Sequence, residues 1–315
     1  MVNTAFVFPG QGSQSVGMLS DFMPQYSIIM DLFSEASDAV GYNIWNLIQK
    51  GPEEQLNQTE YTQVAMLTSD VAVYQLLMQE GVHKPQLMAG HSLGEYAALV
   101  CSGALTLSEA APLVARRGQL MQSAVPLGLG AMAAVVGLTD EQVALVCDEA
   151  SQSLELVTPA NYNAIGQVVI AGHTPAVERA VCLAEKAGAR LAKIIPVSVP
   201  CHCPLLSNAA ERFAEDLAAV HFKSPAIDVI SNVDLSIYYS AEHIRNQLKK
   251  QLYSPVRWVE TIQLFKNRGI GFIVECGPGK VLSGLTKRIE RSLGTISVYD
   301  TISLDQLVEQ FNILA

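Results

Sequence analysis

The chain has 315 residues, a formal net charge of −10 at pH 7, and hydrophobic side chains at 50% of its positions. This composition suits a large packed core, and the acidic balance argues against broad binding to nucleic acid or to an anionic membrane. No apolar run is long enough to span a membrane, and the N-terminus lacks the features of a signal peptide, so we expect a cytoplasmic protein.

The six cysteines are spread along the chain without a C-x-x-C pair, which indicates reduced thiols rather than a disulfide framework. The run Cys201-His202-Cys203 has the residue types of a metal site. Adjacent residues cannot easily wrap one tetrahedral zinc ion, however, and no second ligand pair follows at zinc-finger spacing. We therefore expect no metal site.

The first predicted strand, residues 5–8, is apolar throughout and leads into a glycine-rich loop over residues 9–18. This loop fits neither dinucleotide nor P-loop spacing, because Met18 stands where the P-loop lysine belongs. We interpret the loop instead as a source of backbone N–H groups beside a catalytic nucleophile, for which a candidate follows below. Periodic segments at 26–40 and 62–79 predict amphipathic helices; Gln63 could line a site, but a helix-surface position is the simpler interpretation.

The strongest local pattern is Gly90-His91-Ser92-Leu93-Gly94, between an apolar run at 86–89 and an alanine-rich helix predicted for 95–102. A strand, a sharp turn and a helix in this order form a nucleophile elbow, in which glycines allow backbone to pack on backbone. Ser92 is the candidate nucleophile. An elbow enzyme draws one oxyanion donor from the residue after the nucleophile and one from another strand-end loop, which indicates Leu93 and Gln11.

The next predicted helix runs from about 108 to 125 and carries two adjacent arginines. Arg117 lies on the apolar stripe of this helix, whereas Arg116 lies on its polar side. A buried guanidinium needs an anionic partner, which can be a protein carboxylate or a substrate carboxylate. The residues alone leave both alternatives open.

Residues 130–197 read as strand, helix, strand, strand, helix, strand, which is the order of a ferredoxin-like subdomain. The predicted strands are 131–136, 154–161, 166–171 and 190–197, with helices at 140–150 and 174–187. We therefore predict an α/β fold: an α/β-hydrolase-like catalytic domain with a parallel sheet over residues 1–126 and 199–315, and an inserted subdomain over 127–198.

His202 is the histidine best placed to act as a base, because it follows the connection back to the main sheet. His91 adjoins Ser92, so its side chain should diverge from the nucleophile. No acidic third member stands out, since Asp140 and Asp148 look like polar positions on the inserted helix. The remainder predicts helices at 205–220, 242–252 and 257–268, strands at 227–231 and 271–275, and a helix from 277 to 291, followed by a weakly patterned tail.

Seven motifs then occur in one order: FPGQGSQ (8–14), GHSLGE (90–95), RG (117–118), NYN with GQVVIAG (161–172), PVSVPCH (196–202), QLYSPVRW (251–258) and ECGPGK (275–280). In these motifs the chain resembles the malonyl-CoA:acyl-carrier-protein transacylases of bacterial fatty-acid synthesis and the acyltransferase domains of polyketide synthases. The resemblance covers residues 6 to about 289. Cys201 stands where serine is common in the family.

The resemblance implies a role for each matching residue. Ser92 would carry the malonyl group, His202 would be its base, and the backbone carbonyl of Gln251 would orient that base in place of a carboxylate. Arg117 would hold the free malonyl carboxylate through a two-pronged pair. Positions that could line the same site are Gln63, on the helix predicted for 62–79, and the motif residues Asn161, Asn163 and Ser198.

The implied reaction is ping-pong transfer of malonyl from malonyl-CoA to acyl carrier protein for fatty-acid synthesis, without a cofactor and by a monomer. Lys280, Lys287 and Arg288 could steer the acidic carrier protein, although a solvated face is the usual meaning of such charges. Three alternatives stay open. They are a trans-acting polyketide synthase malonyltransferase, a serine thioesterase and a binding module without catalysis.

Overall fold

A computed structural model describes residues 2–196 and 199–314 of the chain. In those residues, no helix combines the length and the apolar character that a membrane crossing requires. The strands, in chain order, are β1 (Thr4–Phe8), β2 (Leu87–Gly90), β3 (Gly130–Val136), β4 (Val157–Ala164), β5 (Gln167–His173), β6 (Leu191–Ile194), β7 (Asp228–Val229), β8 (Phe272–Cys276) and β9 (Gly294–Val298).

The helices lie between these strands and after the last of them. They are α1 (Ser27–Val40), α2 (Ile44–Lys50), α3 (Glu53–Leu56), α4 (Thr59–Gln79), α5 (Gly94–Cys101), α6 (Leu107–Ala124), α7 (Asp140–Ala150), α8 (Thr174–Lys186), α9 (Ser207–Ala219), α10 (Ala241–Gln251), α11 (Trp258–Asn267), α12 (Val281–Ile289) and α13 (Thr301–Leu314).

The larger sheet is parallel, with strand order β7-β2-β1-β8-β9. Its central strand β1 is buried along its whole length, which explains the uninterrupted apolar run, since helices cover both faces of a parallel sheet. β1 and β2 end side by side, with Phe8 paired to Gly90. The glycine-rich loop and the elbow therefore start at the same edge of the sheet, and the predicted α/β-hydrolase-like class is confirmed.

The smaller sheet is antiparallel, with strand order β4-β5-β3-β6. With α7 and α8 packed against it, the segment follows the β-α-β-β-α-β order of the ferredoxin-like arrangement predicted from the sequence. The apolar side chains between these helices and the sheet form a core of their own.

Backbone hydrogen bonds join the small sheet to the chain segment that follows α10. The Tyr162 N–H donates to the Val256 carbonyl at 2.9 Å, and the Val256 N–H donates to the Ala160 carbonyl at 2.9 Å. A side-chain contact adds to them, because His91 Nε2 lies 2.8 Å from Asn163 Oδ1 of β4. The two sheets are thus connected beside the elbow itself.

Several predicted element boundaries were wrong. The strand predicted for 154–161 begins three residues later, because Gln152 and Glu155 pair in a tight turn before it. The strand predicted for 190–197 ends at Ile194, and the helix predicted from 205 starts as a 3-10 turn at Pro204–Leu206. The helix predicted from 277 begins at Val281, and the unpatterned tail contains β9 and α13.

Candidate active site

The nucleophile elbow lies between β2 and α5, as the sequence predicts. Ser92 has a φ of 53°, in the left-handed region that non-glycine residues rarely occupy. A Cβ atom on Gly90 would lie 1.8 Å from the Gly94 carbonyl carbon, and one on Gly94 would lie 2.0 Å from the Phe8 carbonyl oxygen. Only glycine fits at either position, because backbone packs directly on backbone there.

The glycine-rich loop after β1 packs against this elbow. A Cβ atom on Gly10 would lie 2.5 Å from the His91 carbonyl oxygen and 3.8 Å from the Leu93 nitrogen. Gln11 and Leu93 both line the same cavity as Ser92. The two residues predicted to donate N–H groups to an oxyanion are therefore close neighbours of the candidate nucleophile.

His202 lies within hydrogen-bond distance of Ser92. Its Nε2 is 2.7 Å from Ser92 Oγ, and its Nδ1 is 2.8 Å from the backbone carbonyl oxygen of Gln251. A carbonyl oxygen can only accept, so Nδ1 carries the hydrogen and Nε2 is left to accept the proton of the Ser92 hydroxyl. The arrangement gives a serine and histidine pair in which a carbonyl stands in the place of a carboxylate.

Arg117 is fully buried on α6, as its position on the apolar stripe predicts. Its guanidinium donates to Gln63 Oε1 at 2.9 Å, to Gln251 Oε1 at 2.8 Å and to Ser92 Oγ at 3.3 Å. In the part of the chain that the structure describes, no carboxylate pairs with it directly. Gln63 is 1% exposed, so the helix-surface interpretation was wrong; α4 is buried around most of its circumference.

Burial and the neighbouring charge of Arg117 lower the pKa of His202 to about 3. The imidazole is therefore neutral, as a base must be, across the physiological pH range. Burial also lowers the pKa of His91, which contacts Asn163 and lies against the ring of Trp258. His91 diverges from Ser92 as expected, and its contribution to the cavity wall was missed.

Three buried polar residues near the elbow, Asn232, Glu95 and Tyr238, were also missed by sequence reasoning. Asn232 accepts the Ser92 N–H at 2.8 Å and donates to the Gly90 carbonyl at 2.7 Å. Glu95 accepts from the Gln251 side chain at 2.5 Å, from the Asn232 N–H at 3.3 Å and from the Tyr238 hydroxyl. Burial raises the pKa of Glu95 to about 7, against the lowering effect of these donors.

Ser92 opens into a cavity of about 630 Å³. Of the positions predicted to line a site, Gln63, Asn161 and Asn163 do so, and Ser198 lies outside the described residues. The remaining lining residues are Gln11, Gly12, Gln14, Asn57, Thr59, His91, Leu93, Met121, Met132, Val169, Ile195, Pro196, Val199, Cys201 and His202.

The predicted docking residues lie on the surface. Lys280, Lys287 and Arg288 are exposed at the start and end of α12, and the Arg288 guanidinium donates to Gln167 Oε1 at 2.7 Å. Within residues 2–196 and 199–314, no three histidine, cysteine or acidic side chains are grouped so that they could share a metal ion.

Comparison with known proteins gives a consistent result over almost the whole chain. Residues 5–304 match the family described as acyl transferase domain. A malonyl CoA-acyl carrier protein transacylase of Escherichia coli is 50% identical over 293 residues, which are 93% of this chain and 94% of the relative.

Solved structures agree with this comparison. An acyl carrier protein S-malonyltransferase from Vibrio cholerae has a TM-score of 0.95 at 50% identity, covering 97% of this chain and 99% of the other. A type II PKS acyl-carrier protein in complex with its malonyl-transacylase includes a chain with a TM-score of 0.96 at 48% identity, covering 98% of this chain and 99% of that chain. The chain therefore belongs to the acyl transferase domain family.

Proposed function

We propose that this chain transfers malonyl from malonyl-CoA to the phosphopantetheine thiol of acyl carrier protein, supplying fatty-acid synthesis, through a malonyl ester of Ser92. One observation carries the proposal. Ser92 Oγ lies 2.7 Å from a neutral imidazole nitrogen and 3.3 Å from a buried guanidinium that has no carboxylate partner among the described residues. The names of the E. coli and V. cholerae relatives support the same activity.

In the first half-reaction, His202 Nε2 takes the Ser92 hydroxyl proton while Oγ attacks the thioester carbonyl of malonyl-CoA. The carbonyl oxygen gains negative charge and faces the N–H groups of Gln11 and Leu93. The intermediate collapses with cleavage of the carbon–sulfur bond. CoA then leaves as a thiol with the proton from His202.

The second half-reaction runs in the opposite sense with a different thiol. His202 takes the proton of the phosphopantetheine thiol, the sulfur attacks the ester carbonyl, and Ser92 Oγ leaves and recovers its proton. Throughout, the Arg117 guanidinium pairs with the distal carboxylate of the malonyl group. An acetyl group has no such carboxylate, so Arg117 selects between the two substrates.

We also propose that residues 1–126 with 199–315 form the catalytic domain and that 127–198 form an inserted subdomain. The parallel and antiparallel sheets, which do not share a strand, support this division. The cavity lies between them, because Met132 and Val169 of the small sheet line it together with Ser92. Sites between domains are common for small-molecule substrates.

The test is the intact mass of the protein after mixing with malonyl-CoA and, separately, acetyl-CoA, without carrier protein. Wild type is expected to gain one malonyl group, Ser92→Ala none, and Arg117→Ala to lose the preference for malonyl over acetyl. Steady release of CoA without an adduct would indicate a thioesterase instead. No adduct and no CoA release would leave a binding role.

The carrier-protein surface is a separate part of the proposal. The complex of a type II PKS acyl-carrier protein with its malonyl-transacylase supports a carrier protein as partner. Lys280→Glu and Lys287→Glu are expected to raise the KM for carrier protein more than the KM for malonyl-CoA, because the exposed charges would attract an acidic partner. Lys84→Glu, an equal charge change at another exposed position, is the control. Equal effects of all three variants on carrier-protein KM would contradict this surface.

A further inference from the structure

A buried guanidinium and a buried carboxyl group face opposite ends of one side-chain amide beside Ser92. Arg117 donates from Nη2 to Gln251 Oε1 at 2.8 Å, and Gln251 donates from Nε2 to Glu95 Oε2 at 2.5 Å. Arg117 and Glu95 are 0% exposed and Gln251 is 1% exposed. These hydrogen bonds connect the three side chains in the order Arg117, Gln251, Glu95, an arrangement that we call the amide bridge.

Arg117 and Glu95 together fix the direction of the amide bridge. The oxygens of Glu95 accept from the Gln251 side chain, the Tyr238 hydroxyl and the Asn232 N–H, and these donors offset part of the effect of burial, which raises the pKa of Glu95 to about 7. A guanidinium only donates hydrogen bonds, so the nitrogen end of the Gln251 amide must face Glu95. The oxygen end then faces Arg117, and the same nitrogen also donates to the Ser92 carbonyl at 2.9 Å.

The bridge also determines how the charge of Arg117 is compensated. The second neighbour of the guanidinium, Gln63, is likewise a neutral amide oxygen, at 2.9 Å. Two neutral amide oxygens accept from its terminal nitrogens without neutralising it, its Nε has no partner among the described residues, and the Glu95 carboxyl group stays one amide away. A carboxylate in direct contact would form an ion pair that competes with an incoming malonyl carboxylate.

We propose that Glu95 is a positioning residue for malonyl recognition, which acts through the Gln251 amide to hold the Arg117 guanidinium in place and leave it free for the substrate carboxylate. This proposal rests on the proposed malonyl transfer. Glu95 does not touch the substrate in this scheme. Its effect should therefore appear in the choice between malonyl and acetyl groups, where Arg117 acts.

The test compares Glu95→Gln with wild type by rapid-quench measurement of acyl-enzyme formation from malonyl-CoA and from acetyl-CoA. A glutamine amide cannot accept from all three donors without facing one of them with its own N–H group. The ratio of malonyl to acetyl acylation rates is expected to fall roughly 10- to 100-fold, the effect of weakening one hydrogen bond to a charged group. In an Arg117→Ala background, Glu95→Gln should change the ratio less than about threefold, because the partner is already gone.

Glu275→Gln is the matched control. Glu275, on β8, is also 0% exposed. It also accepts several hydrogen bonds, from the N–H groups of Leu282 and Ser283 in the first turn of α12 and from the Ser297 hydroxyl. Its substitution is expected to lower the thermal unfolding midpoint and to leave the malonyl to acetyl ratio unchanged.

The outcomes separate the two proposals. A lower midpoint for Glu95→Gln with a wild-type ratio would show that Glu95 is only structural and would overturn the inference. If Glu95→Gln does not fold, Glu95→Asp replaces it, since it keeps the charge and shortens the reach toward Gln251 by one methylene; an unchanged ratio there also overturns the inference. Absence of a malonyl adduct on wild type would instead overturn the proposed function.

Discussion

Replacement of Asn232 by alanine tests how the strained elbow is held. The Asn232 side chain spans the turn, accepting the Ser92 N–H at 2.8 Å and donating to the Gly90 carbonyl at 2.7 Å. Asn232 is 1% exposed, so Asn232→Ala deprives two backbone groups of this partner in a poorly hydrated place. Each such loss costs about 1–3 kcal/mol, so the free energy of unfolding is expected to fall by about 2–6 kcal/mol.

The same substitution should slow acylation. Ser92 keeps a φ of 53° only while its surroundings hold it there, and a displaced nucleophile of this kind loses roughly 100-fold in rate. The Ser92 N–H already has an acceptor in Asn232, which leaves the N–H groups of Leu93 and Gln11 for the oxyanion. Asn232→Ala should therefore act on the position of Ser92 and not on oxyanion binding.

The assays are urea unfolding followed by tryptophan fluorescence and the rate of malonyl adduct formation. Asn43→Ala is the control, because Asn43 Oδ1 accepts the Asn46 N–H at 2.7 Å at the start of α2. It is expected to cost about 1 kcal/mol and to leave acylation unchanged. If Asn232→Ala unfolds within about 0.5 kcal/mol of wild type and acylates at the wild-type rate, the elbow does not depend on this side chain.

Further expectations concern titration and access. The His202 imidazole should stay neutral between pH 5 and 8, because its pKa is lowered to about 3; an NMR titration midpoint near the ordinary value of about 6.5 would contradict this. Burial raises the pKa of Asp70, so the free energy of unfolding falls as the pH rises and the unfolded chain ionises this carboxyl first. Asparagine cannot ionise, so Asp70→Asn should raise the Tm by about 2–6 °C at pH 8.5 and not at pH 4. A lower Tm at pH 8.5 would refute this. Cys201 lines the cavity and burial raises its pKa to about 11, so iodoacetamide should modify it more slowly than exposed Cys182, with malonyl-CoA protecting only Cys201 in peptide mass spectra. Equal rates for the two thiols would count against this placement.

The parts of the site that sequence reasoning predicted depend on local pattern. The elbow follows from glycine spacing between a strand and a helix, and the inward direction of Arg117 follows from helical periodicity. Gln63 was misplaced because α4 buries polar and apolar positions alike, so no polar face marks its solvent side. Periodicity assigns a direction only where one face of a helix meets water.

The buried polar groups had no local signal. Glu95 and Tyr238 are separated by 143 positions, and Ser92 and Asn232 by 140, yet each pair shares a hydrogen bond. A glutamate after a glycine turn or an asparagine after a short strand usually faces solvent, so only the packed fold shows that these are buried. The prediction for the C-terminal tail failed for a related reason, since β9 is an edge strand with only two buried residues.

The backbone hydrogen bonds of Val256 with Ala160 and Tyr162 limit how far the cleft between the two sheets can open. The paired segment follows Gln251, whose carbonyl oxygen lies 2.8 Å from His202 Nδ1, so any hinge opening between the two sheets would displace the proposed base. The cleft should therefore keep one width throughout turnover. CoA and the phosphopantetheine arm must then use the same entrance in succession. A tightly bound CoA product would therefore block entry of the phosphopantetheine arm and inhibit the reaction with carrier protein.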